Sequence, residues 1–584
     1  MTDYVNPFEY EAASKLSSSQ MNHYYIDQFN YSRFVKSKRN IFLVGERGSG
    51  KSMILMYYSV PVSLERVSGD AKLVVDDGIL PIYVTCNTPL AFKNEYDLLE
   101  GILPALLAEH YFVVSMMYAL ADELKMIREL FTAAEMEKVK HDYEYIFDKK
   151  LPDSEDVFSS IQLMLQKANV EVQSIINRGD EGRGLSWLFG FNSGMLQLMA
   201  IATKTKALEG IHFSLMIDDA HLLTEHQIRL LNSWVSFRDN TSFSFKVAKT
   251  KVDRTTAVTA TGSSILEGHD YTEIDLEAAY QNKSSEFGKY ARLILEKRLE
   301  TIGLKGIDLN KFFPEHPQFV KDLEKAKLKA KKEAEEKYSG QENSEKKIDG
   351  YIYKMARAFY FRDRGATANI PPAYAGLETI IEMSTGIVRN LLHPCYYMYE
   401  NQYSILQGKG GNQSPLVKFI EPKVQYESIK KRSKKAWVDL KESLSLTVEG
   451  CTMDEALQTY QMMDHLTNLF QKRLLTHKSE PRAISFTISD TTSDVYPTVI
   501  RWVNIARKAQ LMYAYLSSAK DKGQREMYFV PNRILCLQKG LDPRGQHARV
   551  SLTAKVLFDA GMLNKKIPYD SEQEGDGGLD FFSG

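Results

Sequence analysis

The segment Gly45-Glu46-Arg47-Gly48-Ser49-Gly50-Lys51-Ser52 constrains this chain more than any other. It follows Asn40-Ile41-Phe42-Leu43-Val44, an apolar run with the character of a buried strand. It precedes Met53-Ile54-Leu55-Met56-Tyr57-Tyr58, which opens a helix. A glycine-rich turn in that setting lets the backbone curl until successive amide N–H groups converge at a helix N-terminus, where phosphate binds. Gly45, Gly48, Ser49, Gly50, Lys51 and Ser52 are therefore the expected phosphate cradle, or P-loop. Lys51 would reach the β- and γ-phosphate oxygens and the Ser52 hydroxyl would hold Mg²⁺, so ATP and Mg²⁺ are the expected cofactors.

Such a loop belongs to an α/β fold, and the flanking sequence supplies the strands. Ile79 to Thr85 reads as a second strand, Phe213 to Ile217 as a third, Phe243 to Thr250 as a fourth and Tyr271 to Leu276 as a fifth. A helix over Thr224 to Phe237 separates the third from the fourth, and Thr255 to Ile265 reads as a small hairpin. Strands alternating with helices predict a parallel sheet covered on both faces. The span between the second and third strands is far longer than a crossover needs. It reads mostly helical over about 96–207, broken at Leu151-Pro152-Asp153 and Gly182-Arg183-Gly184, and is expected as an insertion on the core.

The formal net charge is −1, so no global field draws the chain to nucleic acid or membrane, and any basic surface must be local. Cys86, Cys395, Cys451 and Cys536 show no paired metal-ligand spacing, which favours reduced thiols, a cytoplasmic location and no zinc site. The opening MTDYVNPFEY is polar and aromatic, so no signal peptide is expected. The most apolar segments, Leu106 to Ala121 and Met195 to Thr203, are short or carry Glu109 and His110, and no membrane partner is expected.

Five regions follow: an N-terminal arm, 1–40, with a helix from Ser19 to Phe29; an α/β core, 41–285; a helical region, 286–400; a C-terminal region, 401–570; and an acidic, glycine-rich tail, 571–584. Within the third, Lys321 to Lys337 reads as a solvated Lys/Glu helix followed by a polar linker, Gly340 to Gly350. In the fourth, Ala456 to Leu475 is a helix, Ala483 to Ile488 a strand, and Asp494 can cap a helix through Ala509. Leu511 to Leu516 and Glu526 to Val530 then read as strands joined by a basic loop. That order is close to a winged helix, with one helix of the usual set unaccounted for. On the 494–509 helix, Arg501, Asn504 and Lys508 share a face suited to a major groove, and Lys520, Lys522 and Arg525 would be a phosphate-contacting wing. Lys430, Lys431, Arg432, Lys434 and Lys435 form another basic cluster, and Arg544, His547 and Arg549 a third. Solvated helix faces and loops account for each equally well.

A P-loop also needs a carboxylate at the end of a neighbouring strand to organise Mg²⁺ and the attacking water. Asp218-Asp219, after Phe213 to Ile217, supplies it: Asp218 for the metal and Asp219 for the water. Asp219 stands where such ATPases usually carry glutamate. A side chain one methylene shorter reaches the in-line water poorly, which predicts slow hydrolysis.

With the P-loop, Ile217-Asp218-Asp219 and the stretch Met383-Ser384-Thr385-Gly386-Ile387-Val388-Arg389-Asn390-Leu391-Leu392, the chain resembles bacterial AAA+ ATPases of the origin-recognition (ORC-type initiator) branch over about 6–400. The resemblance implies a P-loop AAA+ core with a helical lid and a C-terminal winged-helix-like α+β domain. It also implies that Arg389, in the S-x-G-x-x-R pattern, acts as a sensor 2 reaching the γ-phosphate. Thr250, or Lys249, would be the polar sensor ending the fourth strand, and Arg254 or Arg238 a trans arginine finger. Asp219 is similar, in addition, to the second Walker B aspartate of signal-transducing (STAND) ATPases, which favours a nucleotide-gated switch. The function expected on this resemblance is an ATP-hydrolysing regulator that forms a homo-oligomer, engages nucleic acid through 494–525 or a separate effector protein, and serves in bacterial antiviral defence. The alternatives are a replication-initiator-like DNA-loading ATPase and a nucleotide-bound scaffold with negligible hydrolysis.

Overall fold

The computed structural model describes residues 5–9, 12–86, 101–177, 188–237, 241–252, 256–278, 284–365, 373–410, 415–517 and 526–569. The chain divides into two compact units, Glu11–Glu277 and Met1–Tyr10 with Ala278–Gly584.

The first unit is built on a five-stranded parallel sheet in the order β2-β3-β4-β1-β5. Its strands are β1 (Ile41–Val44), β2 (Ile79–Thr85), β3 (His212–Asp218), β4 (Phe243–Lys249) and β5 (Thr272–Asp275). Because all five run the same way, their C-terminal ends share one edge, which is where ligands enter open α/β sheets. The register aligns Val44 with Lys249 of β4 and Asp275 of β5. Asp218 ends β3, one strand further out.

Strands β1 to β4 are largely apolar and buried because both faces are covered, whereas edge strand β5, Thr272-Glu273-Ile274-Asp275, is half-buried. Phe42, Val44, Leu80, Ile82, Phe213, Leu215, Phe245 and Val247 face the larger core, together with the helical insertion. Ile41, Leu43, Met216 and Ala248 face the smaller one, with Ile54 and Leu55 of the P-loop helix. The insertion comprises the helices Leu103–Met126, Ala133–Phe147, Val157–Asn177 and Leu196–Ala202. Among the described residues, Leu103–Met126 is the one helix long and apolar enough to cross a membrane. Here its Leu107, Phe112, Val113, Met116 and Leu120 are buried in the core of this unit.

One expectation changes in this unit. The N-terminal helix is Ser18–Tyr24, closed by a Ser17–Gln20 capping box at its start and by extended Tyr25 at its end. Tyr25 leaves the helix to stack on Tyr57, ring centroids 3.8 Å apart. The small hairpin expected before β5 is present, closed by the antiparallel bridge Val258 to Ser264 and by Ile265 N–H donating to Ala257 O at 2.8 Å.

In the second unit the Lys/Glu-rich segment forms the helix Pro317–Tyr338, which packs on Ser344–Gly365. Ala326, Ala330 and Ala334, spaced one turn apart, are buried while the charges point outward. The small side chains let the two helices approach closely. Residues expected as a linker, including Gly350, therefore lie largely within the second helix, and the connection is short. Phe8, near the N-terminus, is buried among Phe312, Phe313 and Tyr399 of this unit. The helices Leu377–Met383, Val388–Gly410, Pro422–Val438 and Met453–Thr476 follow. Val388–Gly410 runs through position 400 without a break, with Tyr399 and Gln402 both buried.

The C-terminal sheet contains β6 (Ala483–Ile488), β7 (Met512–Leu516), β8 (Met527–Pro531) and β9 (Gln546–Leu552), in the order β7-β8-β6-β9. The ladders β7–β8 and β8–β6 are antiparallel, with the helix Tyr496–Lys508 between β6 and β7, a winged-helix-like arrangement. Strand β9, parallel to β6, and the helix Ala554–Met562 extend it beyond the sequence expectation. Asp494 is not the cap of its helix: the residue before Tyr496 is Val495, and Pro497 lies in the first turn.

Candidate functional site

The P-loop leaves β1 between the ends of β4 and β5. Gly45 N–H donates to Lys249 O at 3.4 Å, and Leu276 N–H to Val44 O at 2.9 Å. Gly48 and Gly50 adopt φ of 86° and 106°, a region that costs glycine little. Gly50 is the N-cap residue of the helix Lys51–Tyr57. At Gly45 a β-carbon would meet Ser49 Oγ at 2.6 Å. Ser52 lies in the first helical turn, half-buried.

Lys51 is buried and donates to Gly45 O at 2.9 Å and Glu46 O at 3.0 Å. Burial pulls its ammonium below the ordinary lysine value, opposed by the charges of Glu277, Asp218, Asp219 and Glu46. The loop thus gathers a lysine and both aspartates from the end of β3 within electrostatic reach. Ser49 Oγ is buried with no hydrogen-bond partner among the described residues. An orphaned donor in a loop of converging amides fits a phosphate oxygen.

Asp218 is buried at the end of β3. Its Oδ2 accepts from Tyr83 Oη at 2.8 Å and its Oδ1 from Asp219 N–H at 2.9 Å. Burial, then the Asp218 charge, raises the Tyr83 phenol far above its usual range, so it stays a donor. Asp219 adopts φ of 53° and its side chain is 43% exposed, with His221 Nδ1 at 3.9 Å. It is accessible to solvent at the strand edge, where Asp218 is not.

Thr250 is buried directly after β4. Lys249 points to the larger core: it pairs with Glu273 at 3.2 Å and lies 4.7 Å over the Phe42 ring. Sequence reasoning missed Tyr83, Lys251, Asp275 and Glu277. Lys251 Nζ contacts Asp275 Oδ1 at 2.7 Å and Glu277 Oε2 at 2.5 Å. Polar residues at and just beyond the ends of β4 and β5 were the available signal for Lys251, Asp275 and Glu277, but only strand order places them beside β1.

Arg389 belongs to the second unit, at the start of Val388–Gly410. It lines a cavity of about 50 Å³ with His393, Arg432, Gln510 and Asn532. The cavity is cationic: burial first, then Arg432, Lys435 and Arg389, push the His393 imidazole down to about 3. The preceding turn has Thr385 at φ 55° and Gly386 at φ 78°. The C-terminal sheet grips this turn. Asn390 Nδ2 donates to Tyr513 Oη at 2.7 Å, Tyr515 Oη to Thr385 O at 3.0 Å, and Arg533 N–H to Thr385 Oγ1 at 3.2 Å.

Some basic residues of the C-terminal region are engaged within the protein, whereas Lys430, Lys431, Lys434 and Lys435 are exposed. Arg501 Nε donates to Glu455 Oε1 at 2.9 Å, and Arg501 also bonds Gly450 O. Asn504 accepts from Arg507, and Arg501, Asn504 and Lys508 are all half-buried. Lys430 lies near Glu427, Arg544 bonds Glu315 at 2.9 Å, and the Arg549 guanidinium lies 3.9 Å over Tyr528. Arg238, Arg254, Lys520, Lys522, Arg525 and the tail from 571 lie outside the described residues.

A family model described as ORC-CDC6-like matches the chain over residues 6–333 and 315–552. Comparison with curated proteins gives no match.

Proposed function

The chain belongs to the ORC-CDC6-like family, with the α/β core and helical region of an AAA+ protein, and on that premise we propose that it is an ATP-gated switch with slow hydrolysis. The observation that carries the reading is buried Lys51, held on the carbonyls of its own loop, with Glu277 and then Asp218 and Asp219 opposing the loss of charge that burial favours. A lysine so placed is poised to exchange carbonyl acceptors for phosphate oxygens.

Bound Mg²⁺-ATP supplies the γ-phosphate whose presence distinguishes two states. The amides of Gly48, Gly50, Lys51 and Ser52 would face the phosphates, and the Ser49 hydroxyl would gain a partner. Ser52 and Asp218 would hold the metal, with Tyr83 fixing the Asp218 carboxylate. Asp219 orients water, and its shorter reach keeps hydrolysis slow. Thr250 senses the γ-phosphate at the end of β4, and the family resemblance assigns the lid's response to Arg389. The hydrogen bonds from the Thr385–Asn390 segment to Tyr513, Tyr515 and Arg533 support a route from Arg389 to the C-terminal sheet.

In this reading the switch works in the cytoplasm as a homo-oligomer. Its C-terminal module, 494–525, engages nucleic acid or a separate effector protein, as in the bacterial antiviral defence modules that ORC-like chains resemble. Calorimetric titration with Mg²⁺-ATP tests the site: wild type should bind, and Lys51→Ala should lose most of the affinity. Equal binding by both would overturn the assignment.

A further inference from the structure

Glu277 is fully buried just beyond β5, and its carboxylate is directed at the P-loop. Oε1 accepts the backbone N–H of Glu46 at 2.7 Å. The same oxygen lies 3.2 Å from where a β-carbon on Gly45 would sit, so a side chain there would crowd the carboxylate. Oε2 accepts from Lys251 Nζ, which also contacts Asp275 Oδ1 at 2.7 Å. Asp275 Oδ1 accepts the Glu277 backbone N–H at 2.9 Å, which fixes the turn carrying this carboxylate. A loop whose amides suit phosphate therefore already holds an anion of its own.

The charges around it are balanced in a particular way. Among the carboxylates near Lys51, Glu277 does most to sustain the Lys51 charge against burial. Burial also disfavours the Lys251 charge, but Glu277 and Asp275 outweigh it and hold that ammonium above the ordinary lysine value. Lys251 is thereby committed to the Glu277 side of the loop.

We propose that the Glu277–Lys251 pair is an internal counter-charge that sets how tightly the P-loop holds nucleotide. The proposal rests on the nucleotide reading of this site. Phosphate oxygens entering the loop come under the field of Glu277, in surroundings where salt and water screen little. Lys251 offsets that field. The pair tempers an otherwise tight cradle, so that bound nucleotide remains exchangeable, as a switch requires.

The test is calorimetric titration of the full chain with Mg²⁺-ATP. Glu277→Gln keeps an oxygen for the Glu46 N–H, leaves Lys251 paired with Asp275 and removes one negative charge. It should tighten binding about tenfold. Lys251→Met leaves Glu277 uncompensated and should weaken binding by a similar factor. The double variant should fall within about threefold of wild type, and remains informative if either single variant fails to fold: a double variant shifted tenfold either way overturns the proposal. Wild-type binding that Lys51→Ala abolishes, with Glu277→Gln unchanged or weaker, overturns the counter-charge alone. Absence of binding by wild type overturns the nucleotide reading and the counter-charge with it.

Discussion

Asn390 donates its side-chain amide to Tyr513 Oη at 2.7 Å, joining the turn beside Arg389 to strand β7 of the C-terminal sheet. Tyr513 is fully buried, and its hydroxyl also meets Asn532 and the Gln510 carbonyl. A phenol so surrounded has one arrangement that satisfies all its partners. Displacing the lid turn strands a buried polar group, and the cost of that makes lid and sheet move together.

Tyr513→Phe should therefore leave nucleotide binding in place and lower stability by about 1–3 kcal/mol, the cost of orphaning buried partners. Hydrogen exchange should quicken at residues 384–391. Thermal unfolding and exchange measured on one preparation check both effects, and a variant with unaltered exchange would refute the coupling.

A second joint lies within the same unit. Asp542, fully buried, accepts from Arg357 Nε at 2.8 Å and Nη2 at 2.6 Å, with Arg482 Nη1 at 3.4 Å. Asp542→Asn should cost about 3–5 kcal/mol in urea unfolding, because the arginines lose their counter-charge. Burial works against the Asp542 charge, yet Arg357 foremost and then Arg482 hold its carboxyl below the ordinary aspartate value. The lowered value means the stabilisation is present above the unfolded aspartate range and is lost as pH falls through the folded value. The gap between wild type and variant should narrow below about pH 4.

Glu123 behaves in the opposite sense. Buried in the Leu103–Met126 helix, it accepts a backbone hydrogen bond from Tyr83 of edge strand β2, and burial pushes its carboxyl up to about 8. A raised acid stabilises fully below the unfolded glutamate value and loses that contribution as pH rises through 8. Glu123→Gln keeps an acceptor for Tyr83 without the charge. It should match wild type near pH 5 and melt at a higher temperature at pH 9. A difference of the same size at both values would contradict the titration.

The proposed engagement of nucleic acid has its own discriminating pair. Arg501 is bonded to Glu455 and Gly450, so Arg501→Ala should lower the melting temperature, by about 1 kcal/mol of stability at most, and leave the salt slope of DNA retention unchanged. Lys508→Ala should reduce that slope by about one. A slope lowered by Arg501→Ala would show that the arginine leaves Glu455 for phosphate.

Strands in both units are legible where they are locally self-sufficient. Ile79–Thr85 in the first unit and Ala483–Ile488 in the second are apolar runs, and the sequence reading matches both residue for residue. The P-loop was equally plain, since its glycines have a purely local job. The helical hairpin was hidden because its seam is three alanines in a field of lysine and glutamate, and alanine announces helix without announcing burial. Strand β9 was missed because Gln546-His547-Ala548-Arg549 reads as surface and its partner, β6, lies some 60 residues earlier. Lys251 and Glu277 were invisible for the same reason. Nothing local reveals that the ends of β4 and β5 flank β1; the order of strands in the sheet does.

Hydrogen exchange at Thr385–Asn390 and along β7, measured without nucleotide, with Mg²⁺-ADP and with Mg²⁺-ATP, tests the switch most directly. The prediction is that ATP alone slows exchange in both segments of wild type and changes neither in Lys51→Ala or Arg389→Ala. Identical exchange in all three nucleotide conditions would contradict it.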